Sequence, residues 1–312
     1  PYDRAVYAKA AENLRSMVAA GVMMREPKPC YYVYRLTWRD RTQTGVACIA
    51  SLADYASNRI RKHELTTPVK EDDRVRQIEA INAQTGPVMI AYPAAPAIDA
   101  MLAQAAAGAP VVDVTADDGV RHQLWVIADD TMISRLTAAF DALPALYIAD
   151  GHHRSAAAAR VAAARGPGGG SHEFFLAVIF PDREMTILDY NRVVRDLNGQ
   201  SAEQFIAALR ERFEVTASDT PVRPTSSHEY GMFLDGGWYR LRARPDLVPK
   251  DDPIGRLPIT VLTRNVIEPL LGIKDPRTDK RIDFVGGARG LAGLEKRGSS
   301  GEMAVAFALF PT

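Results

Sequence analysis

The chain has 312 residues, 47% of them hydrophobic, which suffices for a substantial core in one large or two modest domains. Its 38 basic and 38 acidic residues cancel, so the composition does not favour a protein that coats nucleic acid or a membrane surface. No stretch approaches the roughly 18 consecutive apolar residues of a membrane-spanning helix. Only Cys30 and Cys48 occur, without metal-type spacing, so we expect a cytoplasmic protein with no disulfide framework.

The two ends of the chain are unusual. The sequence begins with Pro1 in place of a methionine, and it stops directly after an apolar, strand-like run. We therefore expect both ends to be internal cuts in a longer protein.

Apolar periodicity and turn residues divide the first two thirds of the chain into short strands and helices. Helices are predicted over residues 7–20, 94–107, 130–143 and 155–165. Two further helices are predicted, one that begins after a cap at Ser51 and one that ends at residue 83. The cap of the helix over residues 130–143 is predicted near Asp130 or Thr131. Strands are predicted over residues 30–38, 45–49, 88–92, 111–114, 122–128, 144–149, 174–180 and 185–188. The polar residues 40–44 predict a hairpin between the first two strands.

The last third mixes the same elements. We predict a helix over residues 201–213 capped by Ser201, a hairpin of residues 229–234 and 238–243, a helix over 260–271, and strands over 281–285 and 303–310. Strands and helices mix without the regular alternation of a doubly wound sheet, so the predicted class is α+β, with mixed sheets flanked by helices. The predicted domains are residues 1–198 and 199–312.

One junction is the strongest functional signal. The predicted strand over residues 144–149 stops at five special residues: Asp150, Gly151, His152, His153 and Arg154. A glycine allows a tight turn, and the first N–H groups of the following alanine-rich helix carry partial positive charge. Two imidazoles and a guanidinium add donors at the same place. The junction predicts a phosphate site, and an ordinary polar turn is the alternative.

A second constellation of charged residues lies at positions 59–74. The plain interpretation is a solvated face, but Pro68 argues against one continuous exposed helix. Glu64, if it lies near the first motif, could take a proton from a substrate hydroxyl. Lys70 and Arg74 could bind phosphate oxygens.

Several familiar sites are excluded by their missing residues. The sequence has no G-x-x-x-x-G-K-[ST] phosphate loop, no G-x-S-x-G elbow, and no second histidine that would complete H-E-x-x-H after His63 and Glu64. Adjacent His152 and His153 alone cannot complete a zinc site. The glycines at residues 286–290 are a weak match to a dinucleotide loop.

Six segments together resemble the DUF1015 family of uncharacterised bacterial and archaeal proteins, over nearly the whole chain. They are residues 31–34, 62–66, 70, 73–74, 146–154 and 188–192. The D-G-H-H-R core with its upstream H-E pair is also similar to archaeal free L-serine kinases, and more remotely to the ParB and sulfiredoxin fold. The resemblance implies a ParB/sulfiredoxin-like core that includes the turn.

The resemblance implies phosphoryl transfer to a small hydroxyl compound, with free L-serine as the leading acceptor. Glu64 would be the base, Asp150 would orient substrate or Mg²⁺, and His152 would complete the catalytic set. The implied phosphate-binding residues are Gly151, His153, Arg154, Lys70 and Arg74, and the implied substrate-binding residues are His63, Thr66, Asn191 and Arg192. The donor stays open among ATP, ADP and pyrophosphate, Mg²⁺ is the expected cofactor, and a homo-oligomer is one option.

Two other classes compete with a kinase. A ParB-like switch would bind or hydrolyse a nucleotide while gripping DNA, but the neutral charge and the lack of a basic helix-turn-helix segment count against it. A phosphate-ester hydrolase or a redox-repair enzyme is the third class. Sulfiredoxin-type chemistry needs a cysteine in the turn, where this chain has His152 and His153.

Overall fold

The computed structural model describes residues 2–64 and 66–312, which form two compact units. The first unit ends at Met185 and the second begins at Thr186, upstream of the boundary that the sequence predicted after residue 198. The strand Tyr190–Val194 accounts for the difference, because it pairs with two strands of the second unit's sheet. No helix within the described ranges is long and apolar enough to cross a membrane.

The first unit contains eight strands and six helices among the described residues. The strands are β1 Tyr31–Trp38, β2 Arg41–Ser51, β3 Ile60–Arg61, β4 Val88–Tyr92, β5 Val112–Thr115, β6 Arg121–Ile127, β7 Leu146–Asp150 and β8 Phe174–Pro181. The helices are α1 Arg4–Ala19, α2 Leu52–Ala56, α3 Pro68–Ile81, α4 Pro96–Ala105, α5 Asp130–Asp141 and α6 His152–Arg165.

These eight strands form one mixed sheet in the order β3-β7-β4-β8-β2-β1-β6-β5. The pairs β3–β7 and β4–β8 are parallel, and the other neighbouring pairs are antiparallel. Val33, Ile90 and Phe175 are fully buried in its core. A mixed sheet with flanking helices agrees with the predicted α+β class.

The hairpin of β1 and β2 turns more tightly than predicted. Trp38 pairs with Arg41, so only Arg39 and Asp40 make the turn. Residues 42–44, predicted as part of the turn, instead pair with β1 because extending the ladder satisfies their backbone groups.

Helix caps follow the sequence with one correction. Ser51 accepts the N–H groups of Ala53 and Asp54 at the start of α2, as predicted. The cap of α5 is Asp129, which accepts the Met132 N–H, and neither Asp130 nor Thr131 holds that position.

Helix α6 begins at His152, three residues before the predicted start at Ser155. Gly151 has the left-handed backbone (φ 101°), and its carbonyl accepts the N–H groups of Arg154 and Ser155. The helix buries Ala157 and Val161. The two histidines and the arginine of the turn therefore belong to the first helical turn.

The second unit is built on six antiparallel strands. They are β9 Tyr190–Val194, β10 Phe213–Ser218, β11 Glu229–Leu234, β12 Gly237–Ala243, β13 Ile282–Gly286 and β14 Val305–Leu309, in the sheet order β10-β12-β11-β14-β9-β13. The helices are α7 Ala202–Arg210, α8 Pro258–Leu262 and α9 Gly290–Ser299, and a π-helical turn, Thr263–Ile267, follows α8. Ser201 caps α7 in a capping box with Gln204, which confirms the predicted cap.

Two predictions from residue 185 onwards were wrong, and two elements were missed. Residues 185–188 form no strand, and the strand starts at Tyr190, where pairing with β13 and β14 is available. The helix predicted over residues 260–271 is shorter and ends in the π-helical turn ahead of Pro269. Strand β10 and helix α9 were not predicted.

Candidate active site

Two distant motifs meet because two short strands run side by side. Strand β3 pairs in parallel with β7, with Ile60 opposite Leu146 and Arg61 opposite Tyr147. Parallel strands end at the same edge of a sheet, so the residues that follow each strand emerge together. Glu64 follows β3 and His152 follows β7, and Glu64 Oε2 lies 3.2 Å from His152 Nδ1.

The Glu64–His152 pair joins an exposed acid to a buried base. The Glu64 side chain is 58% exposed, whereas that of His152 is 3% exposed. Burial lowers the pKa of His152 below its ordinary value, and the nearby His63 lowers it further, while Glu64 and Asp150 oppose the shift. The His63 and His152 rings meet edge to face, 4.5 Å between centroids. His152 is therefore a neutral imidazole at pH 7, beside a carboxylate that solvent can reach.

Both histidines of the turn accept backbone N–H groups from the Glu64 segment, by which we mean residues 62–64 and 66–67. The His63 N–H lies 3.5 Å from His152 Nε2, a long contact, and the Thr67 N–H donates to His153 Nε2 at 3.0 Å. An imidazole nitrogen that accepts carries no proton, so these contacts place the ring proton on Nδ1 in each histidine. His152 Nδ1, although close to Glu64, makes no aligned hydrogen bond with any described residue.

The turn is closed by an ion pair within the first turn of α6. Arg154 Nη2 donates to Asp150 Oδ2 at 2.7 Å. A Cβ on Gly151 would lie 2.9 Å from Arg154 Nη2, and its φ of 101° is strained for any other residue. Only glycine lets the arginine pack this closely over the turn.

Helix α3 anchors the Glu64 segment from the other side. The Thr66 hydroxyl donates to Glu71 in the first turn of α3. Arg160 of α6 donates to Glu71 at 3.4 Å and to Asp72 at 2.7 Å, which joins α3 to α6. Glu71 and Arg160 were not predicted as site residues, since a lone arginine in an alanine-rich helix gives no signal by itself.

The two predicted phosphate-binding residues of α3 differ in their surroundings. Lys70 is exposed on the first turn of the helix. Arg74, one turn later, lines a cleft of about 280 Å³ together with Arg154 and Gly86. The cleft thus connects Arg74 to the turn.

Asn191 and Arg192 lie on β9 in the second unit. Asn191 is fully buried: its amide N–H donates to Asp189 at 2.5 Å and its oxygen accepts the Leu309 N–H at 2.9 Å. These bonds give Asn191 a structural part in the sheet, and the substrate contact expected of it stays a prediction. The Arg192 guanidinium lies 4.9 Å from the ring centroid of Tyr190 and 4.7 Å from that of Phe284. Burial lowers the pKa of Arg192 to about 10.

A protein-built metal site is not visible in residues 2–64 and 66–312, where no group of three or more His, Cys, Asp or Glu side chains could hold a metal ion. Asp150, the predicted Mg²⁺ ligand, offers an exposed carboxylate that pairs with Arg154. Mg²⁺ commonly uses one or two carboxylates together with substrate phosphates and water. These residues would fit a cation held mainly by a phosphate donor, and Asp150 stays its predicted protein ligand.

Comparison with known proteins gives a family and one distant structural likeness. The family profile described as "Protein of unknown function (DUF1015)" matches residues 1–263. No curated protein matches the chain in sequence. A solved structure of a free serine kinase mutant in complex with ADP is similar at 11% identity and a TM-score of 0.38, over 88% of this chain and 80% of that one.

Proposed function

The chain belongs to the DUF1015 family, a family whose description assigns no reaction, and we propose from its site that it is a small-molecule kinase. It would transfer a phosphoryl group from a nucleotide or pyrophosphate to a hydroxyl acceptor, with free L-serine as the leading candidate. One observation carries the proposal: the exposed carboxylate of Glu64 lies 3.2 Å from His152, in the first turn of a helix that follows a glycine turn.

Glu64 is the proposed base. The acceptor O–H gives its proton to the Glu64 carboxylate, and the oxygen forms a bond to the terminal phosphorus of the donor. The bond from that phosphorus to the bridging oxygen breaks, and the shortened donor leaves. His152 supports this step as a buried, neutral neighbour 3.2 Å from Glu64.

The turn is the proposed phosphate site. Phosphoryl transfer depends mainly on positioning and charge neutralisation, and a helix N-terminus with an arginine supplies both. Gly151 and Arg154 would contact the donor directly, and His153 would add its Nδ1–H. Lys70 and Arg74, which both lie on α3, would neutralise negative charge on the donor phosphates. Asp150 would hold a donor-bound Mg²⁺, which would supply further positive charge against the donor phosphates.

The proposed acceptor and the proposed fold type are both inferred from the sequence motifs. The H-E pair and the D-G-H-H-R turn resemble those of free L-serine kinases, and here they meet at one sheet edge. His63 and Thr66 would then line the acceptor position. We also infer a ParB/sulfiredoxin-like core for the first unit and a cytoplasmic location. A ParB-like nucleotide switch is the competing function.

A substrate screen tests the proposal. Purified protein is incubated with ATP, ADP, GTP or pyrophosphate and with free amino acids or polyols, with and without Mg²⁺, and phosphorylated products are detected by mass spectrometry. We expect O-phosphoserine from at least one donor. Nucleotide hydrolysis or tight DNA binding without any phosphorylated acceptor would favour the switch and overturn the kinase.

Glu64→Gln tests the assigned base. We expect kcat to fall by about 10²–10⁴-fold, because an amide accepts no proton, with little change in donor binding. Glu79→Gln, an exposed glutamate later in α3, is the matched control and keeps full activity. Full activity in Glu64→Gln would remove Glu64 from this role.

A further inference from the structure

The two ring nitrogens of His153 differ in their hydrogen bonding. Its Nε2 accepts the Thr67 N–H at 3.0 Å, so this nitrogen is occupied by the Glu64 segment and cannot donate to a phosphate. Its proton consequently lies on Nδ1. His152 repeats the arrangement, with Nε2 facing the His63 N–H at 3.5 Å.

The two contacts flank Glu64 in sequence. The His63 amide precedes Glu64 and the Thr67 amide follows it, and both acceptors come from consecutive residues of one helix. A third tie, from Thr66 to Glu71, holds the same segment against α3. The position of the Glu64 carboxylate is therefore set by α6, although Glu64 belongs to a different part of the chain.

We infer that His153 is a positioning residue for Glu64 through Nε2, and separately a donor-phosphate ligand through Nδ1–H. The inference rests on the proposed function and deepens it, since it divides one side chain between base positioning and donor binding. His152 assists the first task and, being 3% exposed, contributes little to the second.

Two substitutions separate the tasks. The glutamine amide reaches the position of Nε2 and can accept the Thr67 N–H, whereas the asparagine amide reaches only the position of Nδ1. His153→Gln should keep kcat within about threefold and raise the donor KM roughly tenfold, because one hydrogen bond to a charged group is lost. His153→Asn should lower kcat on the order of 100-fold, as expected for misplacement of a catalytic group by about 1 Å, with a donor KM near that of the unsubstituted protein.

Amide exchange gives a readout that needs no activity. The Thr67 N–H, measured by NMR, should exchange slowly in the unsubstituted protein and in His153→Gln, and at least tenfold faster in His153→Asn. His172→Asn is the matched control: its Nε2 contacts the Gly166 carbonyl outside the turn, so Thr67 exchange and kcat stay unchanged. Circular dichroism verifies that each variant is folded.

Thr67→Pro removes the N–H that Thr67 donates to His153 Nε2, and so breaks the same hydrogen bond from the donor side. Thr67 already has an extended backbone (φ −94°), close to the range of proline. If the hydrogen bond positions Glu64, combining Thr67→Pro with His153→Asn should lower kcat no further than His153→Asn alone.

Equal kcat in the glutamine and asparagine variants, or unchanged Thr67 exchange in His153→Asn, would overturn the inference. If the unsubstituted protein phosphorylates no acceptor, the proposed function fails, and the exchange experiment still decides whether His153 holds the segment.

Discussion

The turn at residues 150–154 and strand β9 both place polar side chains next to apolar ones, but they differ in whether the buried polar atoms are hydrogen-bonded. In β9, both ends of the Asn191 amide are hydrogen-bonded inside the sheet, and Arg192 packs over two rings. In the turn, two buried nitrogens, His152 Nδ1 and Arg154 Nε, have no hydrogen-bond partner in the described part of the chain. Buried polar groups are normally satisfied, so an unsatisfied cluster at a strand end indicates ligand chemistry and a satisfied one indicates stability.

The largest effect is expected at the glycine of the turn. Gly151→Ala places a Cβ 2.9 Å from Arg154 Nη2 on a strained backbone, so it displaces the arginine from Asp150. We expect the Kd for ADP to rise at least tenfold, measured by calorimetry, and kcat to fall on the order of 100-fold.

Gly166→Ala is the control for that experiment. Gly166 also has a positive φ (74°) but no atom within 4 Å of a Cβ, so it carries the backbone strain without the contact. Equal loss of ADP binding in both variants would mean that strain alone, and not the packing of Arg154, explains the effect.

A smaller effect, confined to stability, is expected in β9. Asn191→Ala removes one hydrogen bond from Asp189 and leaves the Leu309 N–H without its acceptor, which should lower the free energy of unfolding by about 1–3 kcal/mol in urea titrations. ADP affinity and kcat of the folded protein should not change. A raised acceptor KM with unchanged stability would instead support the predicted substrate-binding role of Asn191 and erase the contrast between the two regions.

The smallest effect is a pH dependence at His152. Its pKa is lowered in the folded state by burial, so the unfolded chain binds a proton at higher pH than the native protein does. Stability should be complete above the unfolded value of about 6.5 and should decline as pH falls from there towards the lowered native pKa.

Chemical unfolding between pH 7.5 and 5 measures that dependence. His152→Gln, which has no titrating ring, should show a shallower decline over the same range. An identical slope in both proteins would show that His152 does not contribute to it.

The elements with strong local signals were predictable, and those defined by pairing were not. Alanine content and Gly166 indicated α6, and Ser201 indicated the start of α7. The strand predicted over residues 185–188 failed because Ile187 and Leu188, apolar in sequence, are exposed and unpaired in any sheet. Strand choice there depends on β13 and β14, which lie far along the chain.

The candidate site shows the same division. The D-G-H-H-R turn and His63-Glu64 were identified from residue types, since imidazoles beside a glycine turn and a carboxylate are chemically suggestive. Their closeness could not be derived from periodicity, because β3 contains only Ile60 and Arg61 and is too short to produce a pattern. The contacts of Thr66 and Thr67 with Glu71 and His153 depend on that pairing and were equally invisible.

The brevity of β3 has a consequence for how this family can vary. Two residues, Lys62 and His63, separate the end of β3 from Glu64, so the number of residues between them limits how far from β3 the carboxylate can lie. An insertion of one residue there would carry the acid away from α6, whereas an insertion in the loop of residues 116–120, between β5 and β6, would leave the site untouched. In related chains, the number of residues between the end of this strand and the glutamate should therefore be compared as well as their identity.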